Sequence, residues 1–149
     1  MELKEQLYSI CRDKVSVRIR TLQQMIRDTQ LASNAETKSS AGDKFETTRA
    51  MLQIEKDKST LQLAYALEEK QLLDQININQ PFNEIKAGAL ITTNTGTYFL
   101  ANSIGKLEFN DDTVYVISTA SPIGKQMIGK KKGDQFEWKG KTFKILNVE

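Results

Sequence analysis

The most constraining feature of this chain is the distribution of its helix-breaking residues. Of its 149 residues, both prolines and seven of the eight glycines come after Gln80. Between Glu2 and Ile78 there is no proline, and the only glycine is Gly42. Because proline and glycine are the residues that most often end helices, the first half is predicted to be helical and the second half to be rich in turns.

The composition excludes several kinds of site. The chain has 21 basic and 19 acidic residues, no histidine and one cysteine, Cys11. A histidine-based triad, a histidine-ligated metal and an internal disulfide are therefore excluded. The near-neutral balance gives no argument for a nucleic-acid or membrane surface, and Cys11 lies at an apolar helical position, where it is expected to be buried. With no apolar leader and no membrane-length apolar run, we expect a cytoplasmic protein that does not bind membranes.

Two long helices are predicted in the first half. The first carries a stripe of apolar residues at spacings of three and four (Leu3, Leu7, Cys11, Val15, Ile19, Leu22 and Ile26). Residues 33–42 show no such period and are read as the turn. The second helix is expected to begin near Asp43 with a heptad pattern (Met51, Ile54, Leu61, Tyr65 and Leu72, interrupted by Lys58 and Glu68). Leu63, Leu67 and Leu73 lie off this pattern and leave the register open.

Helices of this length joined by a short turn are expected to pack antiparallel. Residues 1–78 would then form a coiled-coil hairpin arm about 45 Å long, at ~1.5 Å per residue, with its tip near residues 33–46. Asp43 and Glu46 would be neighbours on one helix face at this tip. They are either a functional pair of carboxylates or acids that favour the positive end of the helix dipole.

The second half alternates apolar and polar residues at strand spacing, and Pro81 separates it from the helices. Turn residues at Asn94-Thr95-Gly96 and Lys139-Gly140 predict two hairpins. A short helix is predicted over residues 122–128, with Ser121 as N-cap, Pro122 at its first position and Gly129 as its end. Residues 81–149 are therefore expected to form a small mixed sheet of about five strands, which makes the whole chain α+β.

Two motifs, one in each half of the chain, resemble motifs of the Gre transcript-cleavage factors of bacterial RNA polymerase. Residues 117–134 read ISTASPIGKQMIGKKKGD, which is similar to the family pattern S-P-L-G-(R/K)-A-L-(L/I)-G-K…G-D. Gly42-Asp43-x-x-Glu46 is similar to the family tip G-D-x-x-E-N. The resemblance covers nearly the whole chain, and the C-terminal motif is the more specific of the two.

The resemblance implies a fold and a function. Residues 81–149 would be an FKBP-like domain that docks at the rim of the polymerase secondary channel, with Ser121, Pro122, Ile123 and Gly124 shaping the docking turn. The arm would enter the channel as part of a monomer. Asp43 and Glu46 would help to hold a Mg²⁺ ion shared with the polymerase, which would itself cleave the backtracked nascent RNA. The chain would have no cofactor of its own and would not be an enzyme alone.

The tip departs from the family pattern. Lys44 lies between the two acids, Thr47 and Thr48 follow them, and Arg49 takes the place of a later acid. This composition leaves open a regulator or inhibitor that binds the channel without stimulating cleavage. Two alternatives from other classes are a prolyl isomerase, suggested by the FKBP-like fold, and a plain coiled-coil adaptor.

Overall fold

The chain folds as two compact units, one built around a sheet and one of two helices. A computed structural model describes residues 2–37 and 42–149, without the side chains of residues 36, 37 and 42–45. The sheet unit comprises residues 1–12 and 73–149, and the helical unit comprises residues 13–72. The expected arm-and-domain division, 1–78 and 81–149, stays a prediction. The described elements confirm the α+β class and are α1 (Glu2–Thr37), α2 (Gly42–Asp74), β1 (Leu90–Thr93), β2 (Gly96–Ala101), β3 (Gly105–Phe109), β4 (Asp112–Ser118), α3 (Pro122–Met127), β5 (Gln135–Trp138) and β6 (Lys141–Val148).

In the helical unit, two contacts establish that α1 and α2 run antiparallel. The Arg18 guanidinium lies 3.3 Å from the Glu69 carboxylate, and Lys56 Nζ donates to Gln30 Oε1 at 2.6 Å. The residue numbers of the contacts on α2 therefore fall as those on α1 rise. The antiparallel pairing expected from the sequence is confirmed for residues 13–72. Residues 33–37 of the expected turn form the end of α1, which continues to Thr37; residues 38–41 lie outside the described residues.

The two helices bury different kinds of side chain. Within the helical unit α1 buries the apolar residues of its predicted stripe, Val15, Ile19 and Leu22. In contrast, α2 buries the small residues Ser59 and Ala66, which are 2% and 0% exposed. All five apolar residues of the heptad pattern on α2 are exposed. The pattern therefore does not mark the face that packs against α1, and the open register is settled in favour of a different stripe.

The sheet has six strands in the order β3-β4-β2-β1-β6-β5. All neighbouring pairs are antiparallel except β2 and β4, which are parallel. Both predicted hairpins are confirmed. The sequence predicted about five strands and missed one of the six, β3. It is joined to β4 through Asn110 and Asp111, which have φ values of 47° and 71°. Positive φ at both central residues is typical of a tight hairpin turn, so the Asn-Asp pair is a sequence signal for this hairpin.

The central strands β1 and β2 are buried on both faces, whereas β5 and β6 bury alternate residues. One face contributes to a cluster of apolar side chains (Phe82, Ile85, Ala89, Ile91, Tyr98, Leu100, Met127, Phe136, Phe143 and Ile145). The residues that alternate with these along β1, β2 and β4 lie on the other face and are also buried, namely Leu90, Phe99, Val114 and Val116. The start of α1 belongs to the same unit and supplies Leu7 and Cys11, both 0% exposed. The Asn102 amide donates to the Cys11 carbonyl at 3.5 Å.

Lys4 is the one charged side chain in this interior among the described residues. It is 1% exposed, and its Nζ donates to the main-chain oxygen of Glu149 at 2.7 Å. The same atom lies 3.7 Å from the centre of the Phe82 ring. Burial lowers the pKa of Lys4 to about 8, against the opposing attraction of the Glu149 charge. Lys4 precedes Leu7 and Cys11 at helical spacing, so the sequence placed it on the buried face.

Candidate functional site

The turn between β4 and α3 is fixed by a compact set of hydrogen bonds. Ser121 has φ −66° and ψ 153° and caps the helix, its Oγ accepting from the main-chain N–H of Gly124 at 3.1 Å. The same hydroxyl donates to the Ser118 carbonyl at 2.6 Å, and the Ser121 N–H donates to that carbonyl at 3.1 Å. The predicted N-cap and the proline at the start of the helix are confirmed. Ser118, which sequence reasoning missed, ties the cap to the end of β4.

Gly124 is required by close packing. A Cβ on this residue would collide with the carbonyl oxygen of Ser118 and would lie 2.8 Å from Ser121 Oγ. Because the first obstacle is main chain of the adjoining strand, a side-chain rotation cannot relieve it. The motif Ser-Pro-x-Gly thus encodes a capped helix pressed against the strand before it.

The end of α3 is tied to the segment that precedes the sheet. Gly129, with φ +84°, follows the helix as expected, and its N–H donates to the Ile85 carbonyl at 2.8 Å. In return, the Ile85 N–H donates to the Lys130 carbonyl at 2.8 Å. Met127 is fully buried between these points. The short helix α3 is therefore held at both ends, so the position of its exposed surface is fixed.

The four predicted docking residues differ in exposure. Pro122 is exposed, Ser121 and Ile123 are half-buried, and Gly124 is buried. Ile123 packs against the core cluster of the sheet unit. All four residues therefore lie in one turn. Ser121 and Gly124 stabilise the conformation of this turn, and Pro122 is its exposed residue.

The comparison with protein families matches this part of the chain. Residues 81–149, which include all six strands and α3, match the family model described as "Transcription elongation factor, GreA/GreB, C-term". Residues 81–149 are therefore similar to the C-terminal part of the GreA/GreB factors. The recognition made from the sequence motifs is confirmed. Searches of curated proteins and of solved structures returned no match.

The second predicted site lies at the start of α2. The helix begins at Gly42, so Asp43 and Glu46 are three residues apart in its first turns, as expected. Glu46 is exposed, whereas the side chain of Asp43 lies outside the described residues. Since α1 ends at Thr37 and α2 begins at Gly42, both acids lie at the end of the helix pair where the chain passes from one helix to the other.

The donor atoms of these acids suit a hard cation shared with a partner. Carboxylate oxygens are the ligands that Mg²⁺ prefers, and one or two are often combined with water and ligands from another molecule. In the part of the chain whose side chains are described, no group of three or more histidine, cysteine, aspartate or glutamate residues is placed to hold a metal ion. No helix there has the length and apolar composition to span a membrane.

Proposed function

We propose that this chain binds bacterial RNA polymerase, inserts its helix pair into the secondary channel, and stimulates cleavage of backtracked RNA by the polymerase. The observation that carries the proposal is the GreA/GreB match over residues 81–149 together with the ordered β4–α3 turn. That match supports a transcription elongation family; the channel, the cleavage and action as one copy per polymerase are the proposal.

Two parts of the chain would divide the work. The sheet unit would bind the polymerase through the surface around Pro122, which is exposed beside a turn that cannot rearrange freely. The first turns of α2 would carry Asp43 and Glu46 to the active centre. Two carboxylates three residues apart can present oxygens in the same direction. The chain would not act as an enzyme alone.

The two acids would hold a Mg²⁺ ion together with the polymerase. When bound there, such an ion would stabilise negative charge and a water-derived nucleophile near the scissile phosphate. Glu46 is exposed and free to contribute an oxygen ligand without leaving a packed interior. Neither acid would need to bind the ion tightly by itself, because the polymerase would supply the remaining ligands.

The test is cleavage of RNA in a stalled, backtracked elongation complex with Mg²⁺. Addition of the wild-type chain should accelerate cleavage, and Asp43→Asn or Glu46→Gln should reduce that acceleration by at least about tenfold while binding is retained. The control is Glu55→Gln, which removes an exposed acid from the same helix outside the tip and should have no effect. No acceleration by the wild type would reject the cleavage role.

The second candidate is a polymerase regulator that occupies the channel without stimulating cleavage, which the basic residues around the tip favour. Lys44 lies between the acids and Arg49 follows Glu46 at helical spacing, so positive charge would oppose metal retention. This function predicts slower nucleotide addition with no gain in cleavage. It also predicts that Arg49→Asp, which adds an acid, would introduce cleavage activity. If the wild type already cleaves and Arg49→Asp changes nothing, this second candidate is rejected.

The prolyl-isomerase alternative gains no support from the aromatic residues of the sheet unit. Phe136 and Phe143 stack with ring centres 5.0 Å apart, and Tyr98 stacks on Tyr115 at 5.4 Å. Phe136, Phe143 and Tyr98 are all at least nine-tenths buried. These rings pack against one another within the core, so they do not provide an open aromatic pocket for a peptide.

A further inference from the structure

The helical unit exposes an apolar stripe along α2 that its partner helix leaves uncovered. The stripe consists of Met51, Ile54, Leu61, Tyr65 and Leu72, whose exposed fractions run from 54% to 68%. These residues recur at heptad spacing over about 32 Å of helix. Exposed apolar surface of this regularity marks an interaction site more often than chance, and the heptad spacing is that of a helix packed against another helix.

We propose that, when the chain is not bound to polymerase, this stripe binds the same stripe of a second copy of the chain, with the two α2 helices antiparallel. The argument comes from the two charged residues that interrupt the pattern. Lys58 and Glu68 are both exposed, and they lie five residues before and five residues after position 63. A two-fold axis at that position therefore places Lys58 of each copy opposite Glu68 of the other.

The same axis matches four of the five apolar positions; the fifth, Met51, has no apolar counterpart, because residue 75 is Gln75. Leu61 comes opposite Tyr65, and Ile54 comes opposite Leu72, each pair being equidistant from position 63. Every apolar residue in these pairs thus meets an apolar residue, and each charge meets its opposite. An interface in which one patch is complementary to itself is the requirement for a symmetric dimer.

A parallel arrangement does not satisfy these charges. It would place Lys58 against Lys58 and Glu68 against Glu68 in the same dimer. Like charges at facing positions are a means by which helices reject a wrong pairing. The distribution of charge along the stripe therefore selects the antiparallel orientation as well as the identity of the partner.

One flanking position is less favourable, and an internal ion pair offsets it. In the antiparallel dimer Glu55 of one copy comes near Glu69 of the other, because both lie one position after the stripe on the same side. Glu69 already accepts from the Arg18 guanidinium at 3.3 Å. This cation of the same chain compensates the Glu69 charge, so the flanking acids do not exclude the pairing.

The test is sedimentation of the full chain between micromolar and submillimolar concentrations. The wild type should shift from one to two copies as concentration rises. Lys58→Glu creates two facing pairs of acids and should raise the dissociation constant by about tenfold or more. The double variant Lys58→Glu/Glu68→Lys restores opposite charges in the antiparallel dimer and should recover wild-type association.

Controls separate this result from a folding defect or a general charge effect. Lys58 and Glu68 are exposed in the single chain, so far-ultraviolet circular dichroism should be unchanged in all variants. Lys14→Glu makes the same change in net charge at an exposed position of α1 and should leave association unaltered. A wild type that stays monomeric at all of these concentrations would overturn the proposal. Weaker polymerase binding by Lys58→Glu would not change that conclusion. Failure of the double variant to recover association would overturn the antiparallel pairing.

Discussion

In the sheet unit the large apolar side chains fill the interior, whereas in the helical unit α2 buries Ser59 and Ala66 and exposes Leu61 and Tyr65. The difference follows from how many elements surround each residue. The central strands β1 and β2 are buried on both faces, so a large apolar residue there is buried whichever face it lies on. A helix in a pair has one covered stripe, and small residues there let the two helices approach closely.

The comparison also separates two kinds of functional constraint. The β4–α3 turn depends on Gly124 and Ser121, whose positions are set by main-chain contacts. The start of α2 depends on charge, because Glu46 is exposed and packs into no core. We therefore expect substitutions in the turn to change folding, and substitutions of the tip acids to change activity with little effect on folding.

The largest expected effect is that of Gly124→Ala. The added Cβ would collide with the Ser118 carbonyl, and we expect the free energy of unfolding of the sheet unit to fall by about 3 kcal/mol or more. Urea unfolding followed by the fluorescence of Trp138, the single tryptophan, reports on this unit. Lys125→Ala, at an exposed position of the same helix, is the control and should change the free energy of unfolding by less than about 0.5 kcal/mol. Equal losses for the two variants would mean that close packing does not govern Gly124.

The next effect concerns the pH dependence of stability in the sheet unit. Burial lowers the pKa of Lys4 from 10.5 to about 8, so between these values the unfolded chain holds a proton that the folded chain has released. The free energy of unfolding should therefore rise with pH across this window, by about 2–3 kcal/mol if the full difference is realised. Below pH 8 both states are protonated and this contribution does not vary.

Lys4→Met isolates this contribution from other titrating groups. The variant keeps a long side chain over Phe82 but carries no ionisable group. Subtracting its stability from that of the wild type at each pH should leave a difference that grows in favour of the wild type from pH 8 to pH 10.5. A difference that stays flat over this range would show that Lys4 does not titrate there.

The smallest of the three effects tests which face of α2 is packed. Ala66→Leu overfills a position that is 0% exposed and should destabilise the helical unit by about 1–2 kcal/mol. Leu61→Ala removes a large side chain from an exposed position and should change stability by less than about 0.5 kcal/mol in dilute, monomeric protein. Thermal unfolding followed by helical circular dichroism compares the two. The reverse order would restore the heptad stripe as the packing face.

Local constraints made much of the sheet unit predictable. Ser121, Pro122 and Gly129 act within one or two turns of the chain, so the sequence alone placed the short helix and its cap. The strand β3 was missed because its turn, Asn110-Asp111, lacks the glycine that marked the other hairpins, although both residues adopt positive φ.

The packing face of α2 could not be predicted from hydrophobicity. Its exposed stripe contains larger apolar residues than its buried stripe, and the choice between them depends on the shape of α1. The close approach of Gly124 to Ser118 could not be predicted from the sequence either, because it depends on how α3 lies against β4. For the tip, the helix bounds place Asp43 and Glu46 in the first turns of α2, and their role stays a prediction.

The most direct test of the division of labour between the units is an equilibrium titration of the chain against bacterial RNA polymerase. Pro122→Glu changes the exposed surface of the docking turn, while an acid at a helix start is compatible with folding. We expect this variant to bind at least about tenfold more weakly, and Asp43→Asn to bind as the wild type does. Wild-type affinity for Pro122→Glu, or no binding by the wild type, would contradict the account.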